Sequence, residues 1–98
     1  MLEQLTDRVR TIVDGRDAVG FDVKFDLGEA GRIFVVGSDA PMQVNNDNNQ
    51  AETTFHMSAQ NFADMLDGTL APTMAYMQGK LKIDGDLSQA MKLASLFS

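Results

Sequence analysis

The chain has 98 residues, 44% of them hydrophobic, with a formal net charge of −6, one histidine, no cysteine and no tryptophan. That length and apolar share suit one small globular domain, residues 1–98, with a modest core. The missing cysteine excludes a disulfide framework, a thiolate zinc site and a thiol nucleophile. The acidic balance, with eight scattered basic residues, argues against the clustered cations that grip nucleic-acid phosphates.

Leu2, Leu5, Val9, Ile12 and Val13 recur at helical spacing and predict an amphipathic helix over residues 2–14, stopped by Gly15. The period then falls to two. Val19, Phe21, Val23, Phe25 and Leu27 alternate with Gly20, Asp22, Lys24 and Asp26, the pattern of a strand with one wet face. Gly28-Glu29-Ala30-Gly31 turns the chain into a second strand, Arg32–Gly37, whose apolar residues fall on both faces, so cover is expected on both sides. Met42–Val44 is a short third strand. Asn45–Gln50 reads as a polar hairpin loop, because Asn and Asp form local side-chain turns. With one carboxylate it lacks the ligand set of a calcium loop.

Ala51, Thr53, Phe55 and Met57 alternate with Glu52, Thr54, His56 and Ser58 as a fourth strand. Ser58 stands at the N-cap of a helix carried by Phe62, Met65 and Leu66 and closed by Asp67-Gly68. Pro72 opens another helix, with Met74, Ala75, Tyr76 and Met77 as its apolar content and Gly79 at its end. Lys80–Asp84 is a fifth strand with Leu81 and Ile83 inward. Asp86 and Gln89 have the spacing of a capping box and start a last helix through Leu87, Ala90, Met91, Leu93, Ala94 and Phe97. The order α-β-β-β-β-α-α-β-α predicts the α+β class. A single five-stranded, mainly antiparallel sheet of sequential hairpins carries helices packed on one face.

Chemistry is sparse. His56 lies on the strand face opposite Phe55 and Met57, with no nucleophile and orienting acid announced beside it, and reads as solvated or locally bonded. No phosphate-cradling glycine motif or metal-ligand spacing occurs, so no catalytic residue, metal or cofactor is expected. The first residues carry charges every few positions and lack a secretory apolar core. No stretch nears the roughly 18 apolar residues of a membrane span. The expectation is a cytoplasmic chain, most simply a monomer, without stable membrane insertion. One feature is less bland: Gly68–Gly79 carries no formal charge, and Met57, Met65, Met74, Met77 and Met91 crowd the second half. These methionines fill a core, or they border an apolar cavity under a helical cover, where a flexible thioether suits variable partners. The pattern alone leaves both readings open.

The segment Pro72-Thr73-Met74-Ala75-Tyr76-Met77-Gln78-Gly79-Lys80-Leu81-Lys82-Ile83-Asp84-Gly85-Asp86 resembles the signature of the sterol carrier protein-2 (SCP-2) family. That signature is a Pro-started helix, an aromatic, Gln-Gly-Lys, a strand, and Gly-Asp leading into the final helix. Phe62–Gly68 is similar to the helix that precedes it. The resemblance covers nearly the whole chain and is most specific over residues 58–97. It implies an apolar tunnel between sheet and helices. It also implies binding or transfer of fatty acids, fatty acyl-CoA or sterol-like molecules, without catalysis. By resemblance the tunnel is bordered by Phe62, Leu66, Met74, Met77, Gln78, Leu87 and Met91, with Ala94 beside them. Gln78 would hydrogen-bond a lipid head group, or else cap its own helix. On this reading Met77→Asp or Leu66→Asp buries a charge beside the tunnel.

The chain departs from the family pattern in three places. Ala71 stands before Pro72 where the family often has a capping Asp or Asn, which loosens the helix start. The chain ends Leu96-Phe97-Ser98 without the Ala-Lys-Leu-type peroxisomal ending, so a bacterial, cytoplasmic stand-alone version is expected. Methionines replace some of the expected Leu and Phe. The alternative reading is an accessory domain of the same fold, with a collapsed cavity, that assists a lipid or isoprenoid-quinone pathway enzyme.

Overall fold

The computed structural model describes residues 1–97, Phe97 by its backbone alone. Ser98 and the Phe97 side chain, which the periodicity puts on the last helix, lie outside the described residues. Helix α1 (Leu2–Val13) leads to strands β1 (Val23–Asp26), β2 (Arg32–Val36), β3 (Gln43–Asn45) and β4 (Thr53–His56). Helices α2 (Ala59–Asp67) and α3 (Pro72–Met77), strand β5 (Lys82–Gly85) and helix α4 (Leu87–Ala94) follow. The strands form a mixed sheet in the order β3-β2-β1-β4-β5.

Three of the four pairings are antiparallel, and β1 with β4 is parallel. The expected hairpin at Asn45–Gln50 is therefore not formed. Residues 46–52 are instead a crossover that leaves the β3 edge, passes β2 and β1, and delivers β4 to the far side of β1. Turn chemistry describes how a chain bends, not which strand it meets next. The partner is chosen by burial: the parallel register sets Phe55 beside Phe25, their rings edge to face at 5.3 Å. The polar side chains of the tract fasten the crossover. Asn46 Nδ2 donates to Thr6 Oγ1 on α1 and to the Arg32 carbonyl, and Lys24 Nζ donates to Asn48 Oδ1.

The alternation from Val19 to Leu27 is fully expressed, since all five odd positions are buried. Val23, Phe25, Ile33, Val35 and Phe55 face the helices and join Val9 of α1, Phe62 of α2, Ala75 of α3 and Leu93 of α4 in one core. Phe34 points to the other face and is nonetheless buried, beside its register partner Lys24, which the crossover reaches at Asn48. That face also carries the row Arg32, Asp26, His56, Lys82. Asp26 Oδ2 lies 3.8 Å from both His56 Nδ1 and Arg32 Nε. His56 is thus an exposed, locally paired side chain.

Helix α2 begins and ends as its sequence predicts. The Ser58 hydroxyl accepts from the Asn61 amide, and Gly68 at φ 82° closes the helix in the left-handed region. Ser58→Ala should cost about 1 kcal/mol in a urea melt, with little change in the slope of the transition. At α4 only half of the capping box forms. Asp86 Oδ1 accepts from the Ser88 and Gln89 amides, but the Gln89 side chain does not return to the cap. Its Oε1 accepts from the Thr53 hydroxyl, which is fully buried on β4 and requires a partner. Gly85, at φ +117°, lets β5 close on β4, where a Cβ would run into the Glu52 carbonyl oxygen.

Candidate functional site

The site is built by the last third of the chain. Pro72 opens α3, and Ala71 at its N-cap makes no side-chain hydrogen bond, as the sequence departure anticipates. The helix has six residues and one fully buried side chain, Ala75. The chain doubles back beneath it: the Lys80 and Leu81 amides both donate to the Ala75 carbonyl. That return places Leu81 and Ile83 under α3, and Asp86 then starts α4 alongside.

Between these elements lies a cavity of about 90 Å³. Phe55, Leu81 and Ile83 form its floor. Leu87, Ala90, Met91 and Ala94 of α4 make one wall, and Pro72, Thr73 and Tyr76 of α3 the other. No polar atom faces it. It continues past Pro72, Thr73, Met91 and Ala94 into an open cleft of about 210 Å³ that reaches Ser95. Small-molecule pockets begin at about 300 Å³, so the inner cavity is too small to enclose a long acyl chain as it stands. Entry requires a wall to move. α3 is the wall held least, because a helix shorter than about 12 residues is marginal and this one has no side-chain cap.

Of the residues expected at the tunnel, Leu87 and Met91 lie in the lining, as does Ala94. Phe62 belongs to the main core, its ring 4.8 Å from that of Phe25. Leu66 is half-buried against the same core. Met74 and Met77 are exposed, Met77 by 73%, and stand outside the lining. Gln78 is the exposed C-cap residue of α3. Met77→Asp therefore adds a charge at the surface rather than in the cavity. The reason is helical phase. Ala75 takes the inward position, which turns Pro72 and Tyr76, one turn apart, toward the cavity and Met74 and Met77 outward. Phe55, Pro72, Thr73, Tyr76, Leu81, Ile83 and Ala90 also line the cavity, although the resemblance does not name them at the tunnel. The pairing of Phe55 with Ile83, and the small residues Ala90 and Ala94 one turn apart, are the signals that mark the space.

The electrostatics of the site sit at its edge. Hydrogen bonds from the Ser88 hydroxyl and amide, and from the Gln89 amide, hold the Asp86 carboxyl below the usual carboxylate range. A carboxylate with a lowered folded pKa stabilises above its unfolded pKa and loses that contribution as pH falls through the folded value. The start of α4 should therefore weaken below about pH 4. Asp86→Asn keeps a capping oxygen, and its melting temperature should fall less between pH 5 and pH 3 than that of the parent.

Residues 3–98 match the model of the SCP-2 sterol transfer family. The chain belongs to this family. The SCP-2 match is accompanied by hydroxysteroid dehydrogenase-like protein 2 of Bos taurus, 47% identical over 49 residues. Those cover 50% of this chain and 12% of that protein, so the chain spans a small part of the curated relatives it matches. SCP-2 Like 2 of Aedes aegypti shares the fold at a TM-score of 0.77 and 19% identity, over 96% of this chain and 94% of that one. Sterol Carrier Protein-2 of Aedes aegypti, solved with palmitate, aligns at 0.75 and 15%, over 98% and 93%. The UbiJ-SCP2 ubiquinone synthesis protein aligns at 0.64 and 16%, over 97% and 76%.

Proposed function

We propose that this SCP-2 domain is a non-catalytic lipid carrier that takes an apolar chain, such as that of a fatty acid, fatty acyl-CoA or sterol-like molecule, into the cavity between α3, α4, β4 and β5. The observation that carries this reading is a cavity without a polar atom, open at one end through the Pro72–Ala94 cleft. Water gains little in such a space, whereas each buried CH₂ of a ligand is worth about 0.8 kcal/mol. Leu87 and Met91 flank the chain, and displacement of α3 supplies the remaining volume. Native mass spectrometry of freshly purified protein, before and after organic extraction, tests this. A mass excess of a few hundred daltons that extraction removes is the expected result. Added palmitate should raise the melting temperature, because it binds only the folded state.

The small inner volume favours one second reading, an accessory domain with a collapsed cavity assisting a lipid or isoprenoid-quinone pathway enzyme. The likeness to a ubiquinone synthesis protein is consistent with it. A clean mass that palmitate and acyl-CoA do not change would move the choice there.

The cover role of α3 has its own test. Ala71→Asp supplies the missing cap and should stabilise α3 by about 1 kcal/mol. Palmitate uptake should then slow about fivefold. Tyr76 lines the cavity, is the single tyrosine, and has no tryptophan to mask it, so its emission follows the reaction.

A further inference from the structure

Strand β3 lies at one end of the sheet and β5 at the other, and the two edges differ. On β3 the Val44 carbonyl accepts from Arg10 Nη2 of α1, so a side chain guards that edge. Among the described residues no strand lies beyond β5, and its Lys82, Asp84 and Gly85 are exposed. A sheet edge left open offers its backbone groups to another strand.

The charges of that edge say which strand fits. Lys80-Leu81-Lys82-Ile83-Asp84-Gly85-Asp86 carries two cations and then two anions, spaced evenly about Ile83. A single sign of charge would repel a second copy, whereas this order complements itself when reversed. With two copies of β5 antiparallel about Ile83, Ile83 meets the partner's Ile83. Lys82 then meets the partner's Asp84, and Asp84 meets the partner's Lys82. Lys80 and Asp86 stand in the same relation one step further out. Centring the pair on Lys82 or on Asp84 would set like charges face to face. Centring it between two residues would match side chains of opposite faces. In the register about Ile83, Lys82 and Asp84 stay on the wet face, where His56 and Thr54 are their neighbours on β4.

An edge of four residues is small for a stable dimer, and the adjoining helices supply further surface. α3 leads into β5 and α4 leaves it. Among the described residues they carry five of the six exposed large apolar side chains: Met74, Tyr76, Met77, Leu87 and Met91. A second copy beside β5 would take part of that surface from water.

We propose that β5 pairs with β5 of a second copy about a two-fold axis at Ile83, joining two five-stranded sheets into one. Ile83 lies in the cavity floor, so the cavities of the two copies sit side by side across the axis. This dimer replaces the monomer expected from sequence. No ligand takes part in it, so it is independent of the carrier reading.

Sedimentation velocity of the whole chain over a range of concentrations tests the pairing. The parent should pass from monomer to dimer as its concentration rises. Asp84→Lys turns both Lys82–Asp84 contacts into lysine–lysine contacts and should weaken the dimer about tenfold. Lys82→Asp should do the same through paired aspartates. At concentrations where the parent is monomeric, both variants should melt as it does, since the positions are exposed. An equimolar mixture of the Asp84→Lys and Lys82→Asp chains should dimerise again, because each supplies the charge the other lacks. A chain with both substitutions should dimerise alone. A parent that stays monomeric overturns the proposal, as does an Asp84→Lys chain that dimerises like the parent. Two folded single variants that fail to associate when mixed would also overturn it.

Discussion

Replacing Ala90 with phenylalanine should abolish palmitate uptake and leave the melting temperature within a few degrees of the parent. Ala90 is 1% exposed and looks from α4 across the cavity toward Phe55, Leu81 and Ile83. A ring placed there competes for the same volume as the lipid chain. Two terms act on stability and oppose each other. The ring buries new apolar surface, worth about 25 cal/mol per Å². Overfilling a well-packed site typically costs 1–3 kcal/mol, and a cavity of about 90 Å³ absorbs part of that. The expected net change is small, whereas the loss of binding is nearly complete. Calorimetric titration with palmitate and a thermal melt on the same sample separate the two. Unchanged palmitate affinity would place the ligand elsewhere on the molecule.

Phe62→Ala should do the reverse, damaging the fold itself. The resemblance put Phe62 at the tunnel, but its ring is fully buried against Phe25, which in turn meets Phe55. Phe→Ala changes in such cores cost about 3–5 kcal/mol, through lost transfer energy and the hole left behind. Small domains hold about 5–15 kcal/mol in total, so a large part of the stability would go. Urea unfolding should show a much lower midpoint. Palmitate affinity, corrected for the folded fraction, should change little. A variant that unfolds like the parent yet loses palmitate would return Phe62 to the binding surface.

These two residues show where sequence and structure divide. The elements were legible because each is a local pattern. The period-two run from Val19 to Leu27, the Ser58 cap, the Gly68 stop and the Pro72 start depend on residues within a few positions of one another, and backbone geometry converts them directly. The family was legible for a related reason: Pro72 to Asp86 is contiguous. The uncapped start of α3 could be read from Ala71 alone.

The parallel pairing of β4 with β1 could not be read, because nothing near Asn45–Gln50 states that Phe55 will lie beside Phe25. The inward face of α3 could not be read either. In six residues nearly every side chain is apolar, so periodicity marks no preferred face, and contact with the returning chain at Lys80 and Leu81 sets the phase. That phase moved Met74 and Met77 to the surface and Tyr76 to the cavity. Sequence by itself determined the elements, the helix ends marked by Ser58, Gly68 and Pro72, and the family, since those follow from neighbours along the chain. Tertiary structure alone decided which residues border the cavity and how small it is, since those depend on how distant apolar surfaces exclude water together.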